Sequence, residues 1–324
     1  MAKTTLKDVA KLAGVNFTLV SKYINNNPSA RMTLETKEKI QKAIEELDYH
    51  PSKVARALRS GKTNTVGLLI GNLTNKYFAH SLEIALEEFQ KRGYQLLISV
   101  VDFNTPKAAI QNLLSHNVDA IYSFIAADKE IEDLKIPVPV IFNIPNKKYS
   151  TVTLDAKTSL VTGLKTLGIK EIEGIFAAPN LWTDIFTAAC HEADCKVTVN
   201  KVALDKVKRA QEILAICQKR SKYIFANGWE TTCLLQDVIK DQLPSYRPNL
   251  LLHANCSGPF FADKQILGVI TSSSRELIIK SCETLIHLIE NPHKKVIHET
   301  IPASFVLASD RVYSRFITKH FSLI

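Results

Sequence analysis

The sequence lacks the patterns by which enzymes, secreted proteins and membrane proteins are usually recognised. Its 324 residues contain no GxSxG, GxGxxG, Walker-type or HExxH pattern. No apolar run approaches the length that spans a bilayer, and the N-terminus lacks the order of charged, apolar and small residues that marks a signal peptide. We therefore expect no enzymatic activity, no cofactor or metal site, no membrane contact and a cytoplasmic location.

Glycine and proline are also scarce, at 11 and 12 residues, and this composition is that of a globular chain rather than a fibrous or disordered one. The six cysteines form no CxxC pair and no zinc-ligand grouping, so they are expected to be small buried apolar residues. The nine scattered histidines are expected on the surface. A single hydrophobic core rarely organises more than about 250–300 residues, so the length predicts more than one domain.

The positive charge is concentrated at the N-terminus. Of the net charge of +9, residues 1–62 contribute +6, because they hold 12 Lys and Arg against 6 Asp and Glu. Such a local surplus is typical of a segment that binds nucleic acid, but basic tails and helices that lie on membranes also have it. Charge alone leaves these three interpretations open.

Residues 1–50 show the pattern of three short helices. The apolar residues Val9 and Leu12 follow helical spacing, which is interrupted at Gly14 and resumes after Asn16. Gly14 suits a turn that needs a positive φ, and Asn16 is a suitable N-cap for the second helix. The pattern therefore predicts a helix, a tight turn and a second helix, followed by a third.

Several segments of this region resemble the lac/galactose repressor family. The matching segments are Thr5 to Val15 (TLKDVAKLAGV), Val20 to Lys22 (VSK), Asn25, Thr36 to Ile40 (TKEKI) and Leu47 to Pro51 (LDYHP). The resemblance implies a helix-turn-helix domain that binds DNA. The alternative is a three-helix module that only packs against another domain.

The second helix of a helix-turn-helix enters the major groove, where its first residues can distinguish base pairs. The predicted DNA contacts of this domain are Thr5, Leu6, Asn16, Phe17, Thr18, Ser21, Lys22 and Asn25. Family members often carry Arg at the position of Lys22, and because Lys cannot form the same planar fork, base choice there should be weaker. Phe17 can lie against a thymine methyl group; alternatively it is a partly exposed packing residue.

Residues 51–62 form a basic segment with two apolar residues, Val54 and Leu58, four positions apart. A helix this short is marginal in water, so it should fold only when its apolar face is covered. The resemblance implies that paired hinge helices enter the minor groove and that Leu58 wedges between base pairs. The predicted contacts are Lys53, Val54, Arg56 and Leu58. The alternative is an ordinary basic linker with Leu58 packed on the next domain.

The remaining residues alternate between apolar runs and amphipathic stretches, which predicts parallel sheets in an α/β sensor with two lobes, similar to periplasmic binding proteins. The resemblance implies three chain crossings between the lobes, near Asp155, residues 271–273 and Pro302. The predicted organisation is a helix-turn-helix domain at 1–50, a hinge at 51–62 and a sensor at 63–324. Lobe 1 is predicted at about 63–155 and 274–301, and lobe 2 at about 156–271 and 302–324.

Ligands of open α/β sheets bind beyond the carboxyl ends of the strands, so a small-molecule effector is expected between the lobes. The candidate residues are Tyr77, Phe78, Asn143, Asp155, Trp182, Asn227, Trp229 and Asn255. Family members that bind sugars usually carry an Arg, an Asn-Asp pair and a further Asp in lobe 2. This sequence departs at all three positions, so a standard sugar clamp is doubtful, and the effector is a sugar-like or another metabolite. Alternatively, several of these residues only pack or complete loops.

These features predict a sequence-specific DNA-binding transcription regulator, a repressor rather than an activator, that binds a pseudo-palindromic operator as a homodimer. Two other classes share part of this pattern: a free-standing solute-binding protein and a sugar-modifying α/β enzyme with an accessory DNA-like domain. The first needs a signal peptide, and the second needs a constellation of polar residues in the cleft. Neither class accounts for the hinge.

Overall fold

The computed structural model divides the chain into two compact units, Met1–Thr63 and Asn64–Ile324. The residues that it describes are 4–25, 31–51, 57–58, 61–71, 76–101, 106–125, 129–177, 182–253, 265–271, 274–293 and 295–308.

The first unit is a bundle of three short helices. They are α1 (Leu6–Ala13), α2 (Phe17–Ile24) and α3 (Leu34–Glu46). One fully buried residue from each helix, Val9, Val20 and Ile40, meets in a shared core. The predicted order of helix, tight turn, helix and third helix is therefore confirmed, although Leu12, which was assigned to the apolar face of α1, is 45% exposed.

Side-chain caps fix where the helices of this unit begin. The Asn16 side chain accepts a hydrogen bond from the Thr18 amide at 2.8 Å, as predicted for the N-cap of α2. At the start of α1, the carboxylate of Asp8 accepts from both the hydroxyl and the amide of Thr5, which lowers the pKa of Asp8 below its ordinary value. Gly14 ends α1 with a φ of 65°, the conformation that glycine adopts without strain.

The second unit alternates strands and helices. Its strands are β1 (Thr65–Ile70), β2 (Gln95–Val100), β3 (Ala120–Ser123), β4 (Val140–Phe142), β5 (Ser150–Asp155), β6 (Glu171–Ala177), β7 (Lys196–Val202), β8 (Tyr223–Asn227), β9 (Asn249–His253), β10 (Ile266–Thr271), β11 (His298–Pro302) and β12 (Ser304–Leu307). Its helices are α4 (Lys76–Lys91), α5 (Pro106–Ser115), α6 (Lys129–Asp133), α7 (Ala156–Thr166), α8 (Trp182–Glu192), α9 (Lys206–Gln218), α10 (Trp229–Gln242) and α11 (Ser274–Glu290).

The strands form two six-stranded sheets, one in each lobe. In lobe 1 the order is β11-β5-β4-β3-β1-β2, and in lobe 2 it is β12-β10-β9-β8-β6-β7. All pairings are parallel except that of β12, which runs antiparallel to β10. The predicted parallel sheets of the two lobes are confirmed. Strand β12 runs antiparallel because it enters lobe 2 directly from the carboxyl end of β11 and must run back along the sheet.

Each lobe has its own apolar core on both faces of its sheet. Strand β1 is buried at every position after Thr65, which is typical of a parallel strand covered by helices on both sides. The cysteines within the described residues are buried as predicted, except that Cys233 is half-buried. Burial raises the pKa of Cys190 and Cys217 to about 12, so these thiols stay protonated at neutral pH.

A slot between two glycines holds the aromatic ring of Phe305 on β12. A Cβ added at Gly163 of α7 would lie 2.5 Å from the ring, and one added at Gly268 of β10 would lie 2.2 Å from it. Both positions must therefore lack a side chain if the ring is to fit. The slot attaches β12 to lobe 2.

Replacing Gly163 by Ala should destabilise lobe 2. Alanine normally favours a helix, but here its methyl group meets the ring of Phe305, so we expect the free energy of unfolding to fall by about 1–3 kcal/mol. Urea unfolding followed by tryptophan fluorescence measures the change, because Trp182 and Trp229 both lie in lobe 2. The control is Thr162→Ala at the exposed neighbouring position of the same helix. A Gly163→Ala protein as stable as the parent would show that the slot widens without cost.

Candidate nucleic-acid interface and sensor site

The first turn of α2 presents two side chains to solvent in the first unit. Phe17 is 42% exposed, and Thr18 is exposed beside it. Asn16 holds the backbone of this turn through its cap, so Phe17 and Thr18 project from a fixed helix end. An exposed ring and an exposed hydroxyl on one rigid turn are suited to contact base edges in a groove.

The other predicted contacts of the first unit differ in their roles. Ser21 and Lys22 follow on α2 and are half-buried. The side-chain amide of Asn25 donates to the Ser21 carbonyl at 2.7 Å and thereby caps the end of α2. Thr5 caps α1, and Leu6 is half-buried against the core. The structure therefore gives Thr5, Asn25 and Leu6 positions that also stabilise the unit.

The hinge is described only in part. Ala57 and Leu58 are helical, and the Leu58 side chain is 83% exposed. The other predicted hinge contacts, Lys53, Val54 and Arg56, lie outside the described residues.

The carboxyl ends of the two sheets in the second unit lie close to each other because the chain crossings are short. Strand β5 passes directly from Asp155 into α7 of lobe 2, and one residue, Ala303, separates β11 from β12. Two residues, 272 and 273, separate the end of β10 from α11, which packs in lobe 1. Since an extended residue spans at most about 3.6 Å, these crossings hold the carboxyl edges of the two sheets together.

The lobe 1 side of this edge carries two predicted candidates with different surroundings. Phe78 on α4 is half-buried and stacks on Phe124, with the ring centroids 6.5 Å apart. Asn143 follows β4, and its amide oxygen accepts from the Tyr122 hydroxyl at 2.7 Å. Both N–H groups of Asn143 donate inside lobe 1, to Ser281 and to the Val152 carbonyl. The Asn143 amide therefore connects the sheet to α11.

Asp155 lies where the chain leaves lobe 1. Its carboxylate accepts from the Thr158 amide at 3.1 Å and caps α7. Of the remaining candidates, Asn255 lies outside the described residues. Tyr77 is the second residue of α4 and Trp229 is the first residue of α10, and their side chains lie outside the described part of the structure.

Lobe 2 brings two predicted candidates together with a residue that the sequence analysis missed. The ring of Trp182 lies against the ring of His253, with centroids 3.6 Å apart. Nδ1 of His253 donates to the side-chain oxygen of Asn227 at 2.8 Å. His253 is only 3% exposed, so the expectation of surface histidines is wrong here. We call Trp182, Asn227 and His253 the ring–amide cluster.

The position of His253 could have been recognised from the sequence. It ends the apolar run Leu250 to Leu252, and a polar residue at the end of a buried parallel strand lies at the edge where ligands bind. Asn227 ends the neighbouring strand β8 and is paired with His253 in the sheet register. Strand pairing therefore brings these two side chains together.

No helix within the described part of the chain is long and apolar enough to cross a membrane. Among those same residues, no three His, Cys, Asp or Glu side chains are grouped as they would be to hold a metal ion.

The N-terminal unit matches a known family. Residues 5–52 match the family model described as "Bacterial regulatory proteins, lacI family". Among curated proteins, catabolite control protein A of Priestia megaterium is 32% identical over 172 residues, which cover 50% of this chain and 51% of that protein. The transcriptional regulator KdgR of Bacillus subtilis (strain 168) is 33% identical over 161 residues, 47% of each chain. This chain thus spans about half the length of the curated relatives that it matches.

The fold of the whole chain is shared with solved structures. The lac repressor bound to ONPG in the repressed state has a TM-score of 0.79 and 18% identity, covering 95% of this chain and 100% of that one. The lac repressor dimer bound to operator and the anti-inducer ONPF has the same TM-score and identity, covering 94% and 98%. At this identity the likeness shows the fold. The match to the lacI family model is confined to residues 5–52, in the N-terminal unit, whereas the similarity to the solved structures extends as a fold over nearly the whole chain.

Proposed function

We propose that this protein is a sequence-specific DNA-binding transcription regulator that represses its genes as a homodimer on a pseudo-palindromic operator. The observation that carries the proposal is the exposed first turn of α2, in a unit whose sequence matches the lacI family over residues 5–52. A regulator of this kind acts in the cytoplasm, where the DNA is. We assign it no catalytic step and no cofactor.

Base reading is assigned to α2. Phe17 and Thr18 project from its first turn, and Ser21 and Lys22 lie on the next turn of the helix. A ring against a thymine methyl group and a hydroxyl or ammonium at base edges are direct contacts that discriminate bases. The basic surplus of residues 1–62 supplies contacts to phosphates, which position the domain without reading sequence.

Exposed apolar side chains on the second unit support a homodimer. Ile98 and Val100 are 42% and 50% exposed and lie two positions apart on β2, an edge strand of lobe 1. On lobe 2, Leu204 and Val207 are 54% and 69% exposed at the start of α9. Single exposed apolar residues are ordinary, but pairs on each lobe are suited to a second copy of the chain. The dimer would place two α2 helices on two operator half-sites.

The effector site is assigned to the carboxyl edges of the two sheets. The ring–amide cluster offers aromatic faces and an amide on lobe 2, and Phe78 offers a further ring on lobe 1. Asn143 supports this edge from inside lobe 1 rather than by presenting its donors to a ligand. A ligand that binds one arrangement of the lobes more tightly would shift the population between DNA-competent and DNA-incompetent states.

Selection from randomised duplex DNA tests the proposal directly. The full-length protein should enrich a pseudo-palindrome at physiological salt, and the double variant Phe17→Ala, Thr18→Ala should lose that enrichment while it keeps its circular dichroism spectrum. The reason is that truncating both exposed side chains removes base contacts but leaves the Asn16 cap in place. Failure of the parent protein to enrich any sequence would refute specific DNA reading.

On the selected duplex, Leu58→Ala should weaken binding by roughly tenfold or more, because the exposed leucine would no longer unstack a base step in the minor groove. Fluorescence anisotropy of labelled duplex measures the dissociation constant. Val296→Ala, which truncates another exposed apolar side chain outside the first unit, is the control and should bind like the parent. Equal affinity of Leu58→Ala and the control would exclude the wedge.

The two tryptophans provide an assay for the effector site. Trp182 and Trp229 begin α8 and α10 at the carboxyl edge of the lobe 2 sheet, so intrinsic emission reports on this edge. A metabolite that changes operator binding should change the tryptophan emission. Trp182→Phe should weaken binding of that metabolite about tenfold, since a large aromatic contact is reduced. Tyr223→Phe, at the opposite end of β8, should bind the metabolite normally. Undiminished binding by Trp182→Phe would place the effector elsewhere.

A further inference from the structure

Ser159 connects two of the three chain crossings between the lobes. Its hydroxyl donates to the carbonyl of Ala303 at 2.6 Å, and the residue is only 5% exposed. Ser159 lies in the first turns of α7, which begins directly after Asp155, whereas Ala303 is the single residue between β11 and β12. The hydrogen bond therefore joins the chain just after the first crossing to the chain at the third crossing.

The same two segments are also joined on the lobe 1 side of the hydrogen bond. Asp155 and Pro302 are opposite each other in the parallel pairing of β5 with β11. Just before the crossing, Ile301 packs into the core of lobe 1, and just after it, Ala303 packs against the core of lobe 2. The third crossing therefore changes lobe within one residue, at Pro302.

Few backbone torsion angles are free to rotate at the third crossing. The ring of Pro302 fixes its φ, and the Ala303 carbonyl is held by Ser159. Two residues later, Phe305 is locked in its slot between Gly163 and Gly268. At the third crossing, rotation of the lobes is therefore left mainly to ψ of Pro302 and φ of Ala303. At the first crossing it involves the backbone around Asp155.

We propose that Ser159 is a positioning residue that clamps the first and third crossings into one hinge and sets the resting angle between the two lobes. A buried hydroxyl that donates to a carbonyl of another segment makes the two segments move together, because breaking the bond leaves a half-buried carbonyl without its donor. The two segments then act as one axis rather than as two independent linkers. Removal of the hydroxyl frees the torsions at Ala303 and lets the lobes sample a wider range of angles.

The regulatory consequence rests on the proposed function. If the interlobe angle controls the state of the hinge segments that meet DNA, Ser159 sets the balance between the operator-competent and operator-incompetent arrangements before any ligand binds. Loss of the clamp should therefore change operator affinity without a change in any residue that contacts DNA or effector.

The test measures the interlobe distance in the full-length protein, without DNA or metabolite, so its outcome does not depend on the proposed function. Fluorophores are attached through unnatural amino acids at the exposed positions 129 in lobe 1 and 240 in lobe 2, and single-molecule energy transfer gives the distance distribution. Ser159→Ala should broaden the distribution and raise the population of the minor arrangement by about fivefold, the factor expected for one ordinary hydrogen bond. The control is Thr162→Ala, whose hydroxyl donates only to Thr158 within the same helix, and it should match the parent.

Ser159→Cys is the second variant in case Ser159→Ala does not fold. Its thiol is bulkier than the hydroxyl and a weaker donor, so its distance distribution should also be broader than that of the parent. Distributions identical to that of the parent in the folded Ser159 variants would overturn the clamp. A broadened distribution accompanied by faster amide exchange throughout lobe 2 would also overturn it, because the hydroxyl would then stabilise the lobe as a whole. Broadening with exchange changes confined to residues 154–160 and 300–305 supports it.

Discussion

The organisation of the second unit depends on how little chain passes between its two lobes. A single residue separates β11 in one sheet from β12 in the other, and no residue separates β5 from α7. Crossings this short keep the carboxyl edges of two independent parallel sheets together, and that is the edge where ligands of α/β folds bind. They also explain the one antiparallel strand, because β12 enters lobe 2 at the carboxyl edge and has to run back beside β10. The proposed effector site and the axis between the two lobes thus both follow from the short crossings.

The first unit combines a small core with side chains that project from its surface. Val9, Val20 and Ile40 fill the centre, and caps at Thr5 and Asn16 fix the helix ends. Capping holds the backbone of α2 without using the Phe17 or Thr18 side chains, which remain available on the surface. Stability and the proposed base reading therefore depend on different residues.

The ring–amide cluster differs in its chemistry from the sugar clamp of the family that the sequence resembles. The sequence has neither the arginine nor the carboxylates that usually hold a sugar in that family. In lobe 2 the structure instead brings Trp182 against His253, which donates to Asn227. Aromatic faces and an amide select ligands by shape and hydrogen bonding rather than by the charged, bidentate contacts that fix a polyol. The proposed effector site is accordingly different in kind from a sugar clamp.

The sequence by itself determined the three helices, the Asn16 cap of α2 and the alternation of strands and helices, because these follow from local spacing and from side chains that bond to their own neighbours in the chain. It also determined that Asn227 and Trp182 follow buried strands. Only the tertiary structure decided three other contacts. His253 is buried against Trp182 and Asn227, both N–H groups of Asn143 donate inside lobe 1, and the ring of Phe305 fits only where Gly163 and Gly268 carry no side chain. Apart from the bond of Asn143 to Val152, these contacts join residues between 26 and 142 positions apart. Their formation depends on strand order and on where the chain crosses between lobes, which a local pattern does not encode.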